Sequence, residues 1–336
     1  MIQRDAVRDR LIRDSLLMVV ASLLLYRLTF TNILYTIPLL LLAPRFEDRR
    51  VAMLPVAAVF LLVVGGELFS ARKALGLDTT PLILTIGLFI PVVLLVAAAV
   101  WIWLRDARCL VRYLASCAFS VVAGIGLAVW LQSGSEAVGK VAEIYSNTFK
   151  TLFSTLMPTT PALIATEEVI QATTETTILG VNADVLFAVC VQVVYHSFVP
   201  MCMALIGVSA LISECVLHRQ DTMWQQRVAN WRLPENTIWV FLGAWALVLA
   251  NMLLAFPAAV SALSVNLALS VSLLYMAQGL AILLFLVRKR NPHVTVARIV
   301  VPVILCMMLP GLNALVVLAL PLLGALETWI TMRKND

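Results

Sequence analysis

The stretch "LLYMAQGLAILLFLVRKR" at residues 273–290 is apolar almost throughout, ends in three basic residues and contains an amide, Gln278, next to Gly279. The apolar run to which it belongs, 263–287, is long enough to cross the hydrocarbon layer of a bilayer as a helix, at about 1.5 Å per residue. An unpaired amide in hydrocarbon costs several kcal/mol, so Gln278 is expected to face protein. The stretch therefore predicts a membrane-spanning helix with one polar group turned toward the interior of a bundle.

The composition of the whole chain extends this prediction to a polytopic membrane protein. Of 336 residues, 62% are hydrophobic and 13% are charged, against about 45–50% and about 25% in soluble domains. A water-soluble fold could not bury so much apolar surface, and the mean hydropathy is +0.97. The net charge of +5 comes from arginines beside the apolar runs, so we expect no binding to nucleic acid. We predict an all-α integral membrane helical bundle that forms one domain over residues 15–330.

Apolar runs separated by breakers and basic clusters define the expected spans, which are 15–28, 30–44, 51–70, 81–104, 113–132, 184–213, 237–257 and 263–287. The last apolar region, 299–330, is too long for one straight crossing and contains the breaker "LPGLN" at 309–313. This region forms either a helical hairpin or one kinked helix. With the hairpin, the chain has about eight to ten transmembrane segments.

The distribution of arginine predicts the orientation of the bundle. The N-terminal residues 1–14 and the loops "RFEDRR" at 45–50 and "RDARCLVR" at 105–112 are basic, and the expected spans put all of them on one side. By the positive-inside rule this side is cytoplasmic. The basic C-terminal residues 331–336 join them only if 299–330 crosses twice, which favours the hairpin. We therefore expect a multi-pass protein of the bacterial inner membrane, with both termini in the cytoplasm and no cleaved signal peptide.

The loop at 133–183 is expected on the non-cytoplasmic side. Apolar residues recur in it every three or four positions, which is typical of an amphipathic helix. These residues are Val138, Val141, Tyr145, Phe149, Leu152 and Leu156. Such an insertion could lie on the outer surface of the bilayer or cap the mouth of the bundle.

A ridge of small residues indicates close helix packing. In the span at 113–132 small residues fall four apart, which places them on one face of the helix. They are Ser116, Ser120, Gly124 and Ala128. Such a face lets another helix approach closely, and that helix belongs either to the same chain or to another membrane protein.

Two spans contain polar groups at mid-depth. In "CVQVVYHSFVPMCM" the residues Gln192, Tyr195 and His196 share one helix face, and Pro200 leaves the carbonyl of His196 without its helical donor. The span at 263–287 contributes an asparagine and the Gln-Gly pair. The candidates for a ligand pocket between the two spans are Gln192, Tyr195, His196, Asn266, Gln278 and Gly279. The alternative is that these groups only form interhelical hydrogen bonds, each worth about 0.6–2 kcal/mol.

Motifs for catalysis or metal binding are absent from the sequence. The three histidines, His196, His218 and His293, belong to no HExxH motif, and the chain has no GxSxG or Walker glycine loop. The six cysteines form no CxxC pair, which favours a role as buried apolar side chains. We therefore predict that the protein is not an enzyme and has no cofactor or metal.

The C-terminal third resembles a known family. An aromatic residue and "LP" precede a span in "WRLPENTIWVFLGAW" at 231–245, "QG" lies within the next span, and "LLGALETWITMRK" at 322–334 ends the pattern. This pattern resembles the YybS-like membrane proteins of bacteria, a family of unknown function. Its positions here are Trp231, Leu233, Pro234, Gln278, Gly279, Gly324, Glu327, Trp329, Arg333 and Lys334. The layout of that family is similar to that of the substrate-binding subunits of energy-coupling-factor vitamin transporters, which implies a small-solute role.

Two functions are consistent with these observations. The first is binding or transport of a small solute in a pocket formed by the polar candidates. The second is a non-catalytic scaffold or assembly protein of the envelope, in which the same groups only hold helices together. The expected partners are the lipid bilayer and either a small molecule or another membrane protein.

Overall fold

The computed structural model describes residues 2–28, 34–75, 80–132, 143, 146–147, 149–151, 177–178, 181–254, 256–330 and 332–333. Nearly all of these residues are helical, and several of the helices are long and apolar. The prediction of an all-α polytopic membrane bundle is therefore confirmed.

The helices follow one another along the chain as α1 Ile2–Arg27, α2 Ile37–Leu42, α3 Arg49–Leu75, α4 Thr80–Trp103, α5 Cys109–Gln132, α6 Ala183–Leu217, α7 Thr222–Ala229, α8 Thr237–Leu254, α9 Ala258–Arg290, α10 Val296–Met308 and α11 Leu312–Leu326. A short antiparallel pair, β1 Thr177–Ile178 and β2 Val181–Asn182, precedes α6. The bundle is held together mainly by contacts of α9 with α6, α8 and α11, and by contacts of α4 with α3 and α5.

Five helices in the described part are long and apolar enough to cross a membrane. They cover Arg49–Phe69, Cys109–Trp130, Ala188–Leu217, Thr237–Leu254 and Ala258–Arg290. Each of them coincides with a predicted span. Shorter apolar helices cover Gly87–Trp103, Val296–Met307 and Leu312–Leu326. In α8 only 11% of the apolar window is buried by the protein, so lipid is the natural solvent of the remaining surface.

The span predicted at 30–44 is wrong. Among its described residues, 34–44, only Ile37–Leu42 is α-helical, followed by a 3₁₀ turn at Ala43–Arg45. A helix of six residues rises about 9 Å, far less than the thickness of a bilayer. The apolar side chains of this helix are covered by α1, α4 and α6 rather than by lipid. The buried residues of the segment include Tyr35, Leu39, Leu40, Leu42 and Ala43.

The last apolar region, 299–330, is a helical hairpin, as predicted. Helices α10 and α11 pack against each other, and the turn between them contains Gly311 with a φ of 87°. Glycine adopts this left-handed conformation without a Cβ clash, which explains why the chain reverses here. Helix α11 then runs antiparallel to α9, with Leu320 beside Gly279.

Basic loops meet at one end of the bundle. Arg49 forms an ion pair with Asp106, and Arg112 lies 3.2 Å from the carboxylate of Glu214 near the end of α6. We call this the arginine-rich end. It consists of residues 45–50, 104–112 and 214–221. The side of the membrane that it faces stays a prediction.

The ridge of small residues on α5 lies against α6 of the same chain. Ser116 and Ser120 are fully buried, and a Cβ atom added to Gly124 would lie 3.0 Å from the ring of Phe198. Ala128, the fourth member, is half-buried. The ridge therefore contributes to the internal packing of the bundle.

Residues near both ends of the chain belong to ordered parts of the structure. Helix α1 begins at Ile2 and runs without a break through the predicted terminal segment 1–14 into the first span. Near the other end, Arg333 is 8% exposed and lies inside the bundle rather than in a free tail at 331–336. The predicted amphipathic insertion at 133–183 lies mostly outside the described residues.

Candidate functional site

The predicted pocket residues fall into two places along α9 instead of one. Asn266 and Gln278 are 12 positions apart on this helix, which separates them by about 18 Å. Asn266 lies with Tyr195 and His196 of α6, whereas Gln278 and Gly279 face α11 and the loop before α8. The six candidates therefore do not surround a single cavity.

The side-chain amide of Gln278 is enclosed by protein groups. Its Oε1 accepts a hydrogen bond from the backbone N–H of Leu233 at 3.1 Å. Its Nε2 donates to the carbonyl of Gly324 at 3.0 Å and to Oε2 of Glu327 at 3.2 Å. Both hydrogens and the oxygen of the amide are thus paired, and the residue is 4% exposed.

Glu327 and Arg333 form a buried ion pair beside this amide. Arg333 donates from Nε and Nη2 to the two carboxylate oxygens at 2.7 and 2.5 Å, and both side chains are 2% exposed. Its Nη1 donates to the carbonyls of Ala229 and Trp231 at 2.6 and 2.9 Å. Arg232, which is half-exposed, lies 3.4 Å from the same carboxylate. We call Gln278, Glu327, Arg333 and their backbone partners the Gln278 cluster.

Nothing in the sequence alone indicates that Glu327 and Arg333 are buried, because charged residues at the end of an apolar run are normally hydrated. Their joint presence in the family pattern is the signal that could have revealed them. Most positions of that pattern meet in or beside the Gln278 cluster. They are Trp231, Leu233, Gln278, Gly279, Gly324, Glu327 and Arg333.

Two glycines allow α9 and α11 to touch through their backbones. A Cβ atom at Gly279 would collide with the carbonyl of Leu320, and a Cβ atom at Gly324 would collide with the carbonyl of Tyr275. Small residues at helix crossings permit this approach in membrane proteins. The group that comes close to Gly279 is therefore a helix backbone.

A second polar assembly joins α6, α8 and α9. Asn251 donates from Nδ2 to Oγ of Ser261 at 2.9 Å, and that Oγ lies 3.5 Å from Nε2 of His196. Nδ1 of His196 lies 2.8 Å from the carbonyl of Gln192. Since a carbonyl only accepts, Nδ1 carries the proton, and Nε2 is the ring nitrogen that faces the Ser261 hydroxyl. We call Asn251, Ser261, His196 and the Gln192 carbonyl the polar chain.

The polar chain is incomplete and lies far from the arginine-rich end. Oδ1 of Asn251 is buried and has no hydrogen-bond partner among the residues that the structure describes. Native structures normally pair such atoms with protein, water or a ligand. His196 precedes Glu214 by 18 positions on α6, which is about 27 Å along the helix. The free acceptor therefore lies near the opposite end of the bundle, where α8 ends and α9 begins.

Asn266 stabilises α6 next to its internal proline, Pro200. Its Oδ1 accepts from the N–H of Val199 at 3.0 Å, and its Nδ2 donates to the carbonyls of Tyr195 and Ala262 at 3.1 and 2.8 Å. The N–H of Val199 and the carbonyl of Tyr195 are the two groups that a regular helix would pair with each other. The amide oxygen and both amide hydrogens of Asn266 are thus bonded to backbone groups. The side chain has no free N–H donor for a ligand.

The remaining candidates differ in their surroundings. The side chain of Gln192 is exposed, and the ring of Tyr195 meets the ring of His196 edge-on at 5.3 Å between centroids. Asn251 and Ser261 were absent from the predicted pocket, since a polar residue near the end of an apolar run is normally hydrated. The sequence does not show how α8 and α9 pack against each other. It therefore could not show that these two residues lie together.

Two cavities among the described residues have volumes of about 30 Å³ and about 10 Å³, and no predicted pocket residue lines either of them. Ligand pockets typically have about 300–1,000 Å³. The described residues contain no group of three or more side chains suited to hold a metal ion. Neither cavity is therefore large enough to be the predicted ligand pocket.

Comparisons with known protein families, with curated proteins and with solved structures give no match. The class of protein is therefore defined by the fold and the composition, and it is a multi-pass helical membrane protein. Membership of the YybS-like family stays a prediction.

Proposed function

We propose that this membrane protein binds a small polar solute at the polar chain, at the end of the bundle opposite the arginine-rich end. The observation that carries the proposal is Oδ1 of Asn251, which is buried without a partner beside groups that are already hydrogen-bonded. A solute with a hydrogen-bond donor, such as a hydroxyl or an amide, would pair this atom. No charged side chain belongs to the polar chain, so a neutral solute fits it better than an ion.

The resemblance to the YybS-like family, and through it to vitamin-binding transporter subunits, supports a solute of the vitamin class. We propose membership of that family because most positions of its pattern meet in or beside the Gln278 cluster. We also propose that the arginine-rich end faces the cytoplasm of a bacterial cell and that both termini lie there, in accord with the positive-inside rule. Under this orientation the polar chain receives its solute from outside the cell.

Purified protein screened by thermal shift against vitamins and their precursors is expected to yield a compound that raises the melting temperature. Ser261→Ala removes the hydroxyl between Asn251 and His196, so about tenfold more of that compound should be needed for the same rise. The matched control is Ser272→Ala, which lies on the same helix about 16 Å away and removes a serine bonded to Trp245. Equal responses of both variants and the unmodified protein would contradict the site.

A scaffold or assembly role in the envelope is the second candidate function. The Gln278 cluster favours it. The Gln278 amide, a candidate ligand group from the sequence, makes all its hydrogen bonds with protein groups. Crosslinking in intact membranes is then expected to recover one stoichiometric membrane-protein partner, with no thermal shift by any solute. A solute response that depends on Ser261 would reject this role as the main function.

A further inference from the structure

A buried hydroxyl on α6 has no partner among the described residues. Ser209 is 1% exposed, and its Oγ makes no hydrogen bond to this part of the chain. Other helical serines donate to the carbonyl four residues earlier, a common bond for serine in a helix. These serines are Ser116, Ser197, Ser213 and Ser272. The Ser209 hydroxyl therefore adopts a different orientation from its counterparts, without a protein acceptor.

Ser209 lines a small cavity between α2, α4 and α6. This cavity has a volume of about 10 Å³, and its other polar lining residue is Thr36. Thr36 is 3% exposed, and although it stands at the N-cap of α2, its side chain makes no capping hydrogen bond. Two hydroxyl-bearing residues from two helices thus border the same small space, whose remaining lining is apolar or aromatic.

We infer that one ordered water molecule occupies this cavity and bridges Ser209 to Thr36. A cavity needs about 10–15 Å³ of this measure to hold a water, and the water needs at least two polar partners. Without it, the Ser209 hydroxyl would bear the full cost of leaving bulk water. The water joins α2, the helix too short to span the membrane, to the long span α6.

The sign of one substitution tests this inference. If the water is present, Ser209→Ala deprives it of a partner and lowers the melting temperature of the purified protein. If the cavity is empty, Ser209→Ala removes an unpaired buried hydroxyl and raises the melting temperature. Ser22→Ala is the matched control. Ser22 is also fully buried, and its hydroxyl has no partner among the described residues, but it lines neither of the two cavities described above. It is expected to leave the melting temperature unchanged or to raise it.

A double-mutant cycle with Thr36→Val gives an independent readout. If both residues bind the same water, either substitution alone already weakens its binding. The decreases in melting temperature for Ser209→Ala and Thr36→Val should therefore add up to more than the decrease for the double variant. The shifts for Ser22→Ala and Thr36→Val should add. A higher melting temperature for Ser209→Ala, or additive shifts with Thr36→Val, would overturn the inference, as would a high-resolution density map without a peak at hydrogen-bond distance from Ser209 Oγ.

Discussion

Replacement of Arg333 by methionine is expected to destabilise the protein by about 3–5 kcal/mol, because the carboxylate of Glu327 would remain buried without its main partner. Glu327 is 5% exposed, and its second cation, Arg232, is half-exposed and more distant. The carbonyls of Ala229 and Trp231 would lose their donors at the same time. The free energy of unfolding in detergent, measured for both proteins, provides the test.

The double variant Glu327→Leu with Arg333→Met separates the charge from the packing. Replacing both members of a buried ion pair with apolar residues of similar size is often nearly neutral, whereas removing one member is not. The double variant should therefore recover much of the stability lost in Arg333→Met. If the single variant is as stable as the unmodified protein, the pair is not buried as described.

Gly279→Val is expected to cost about 3 kcal/mol, at the upper end of the usual range for overpacking. The added Cβ atom would meet the backbone carbonyl of Leu320, which cannot turn away as a flexible side chain can. Helix α11 would have to move from α9, and this would also disturb the bond between Gln278 and Gly324. The variant should unfold at a lower temperature than the unmodified protein.

Gly243 on α8 provides the matched control for this substitution. An added Cβ atom at Gly243 would have no neighbour within 4 Å. Gly243→Ala should be neutral or slightly stabilising, since alanine is favoured over glycine in a helix by about 1 kcal/mol. Equal losses for Gly279→Val and for Gly243→Val would show that helix propensity, and not the contact with α11, determines the effect.

Much of the fold could be predicted from apolar length and breakers. The runs that became α3, α5, α6, α8 and α9 are long, uninterrupted and flanked by basic residues, and a lipid-solvated helix requires little more. The "LPGLN" sequence indicated the hairpin, because glycine tolerates the left-handed backbone that the turn at Gly311 needs.

The segment at 30–44 shows where apolar length misleads. Hydropathy measures how unfavourable it is to expose a side chain to water. Leu39 in this segment and Phe46 just after it are shielded from water by packing against other helices. Whether protein or lipid covers an apolar residue depends on the tertiary structure, which a local window does not contain.

The types of residue in the candidate site could be predicted from the sequence. Which of these residues lie together could not. A polar residue in a span must find a partner, so Gln278 and Asn266 were rightly expected to face protein. Their partners lie on helices whose register is set by packing, and this separates the two amides along α9. One partner of Gln278 is Glu327, 49 positions further along the chain.

The central claim is that lipid surrounds this bundle and that the polar side chains at depth face protein. A nitroxide scan along α9, with collisions by lipid-dissolved oxygen as the readout, tests it most directly. Oxygen accessibility should be lowest at the buried positions Gln278, Ala281 and Ile282, and highest at the exposed positions Ala277 and Leu286. Accessibility at position 278 equal to that at positions 277 and 286 would contradict the claim.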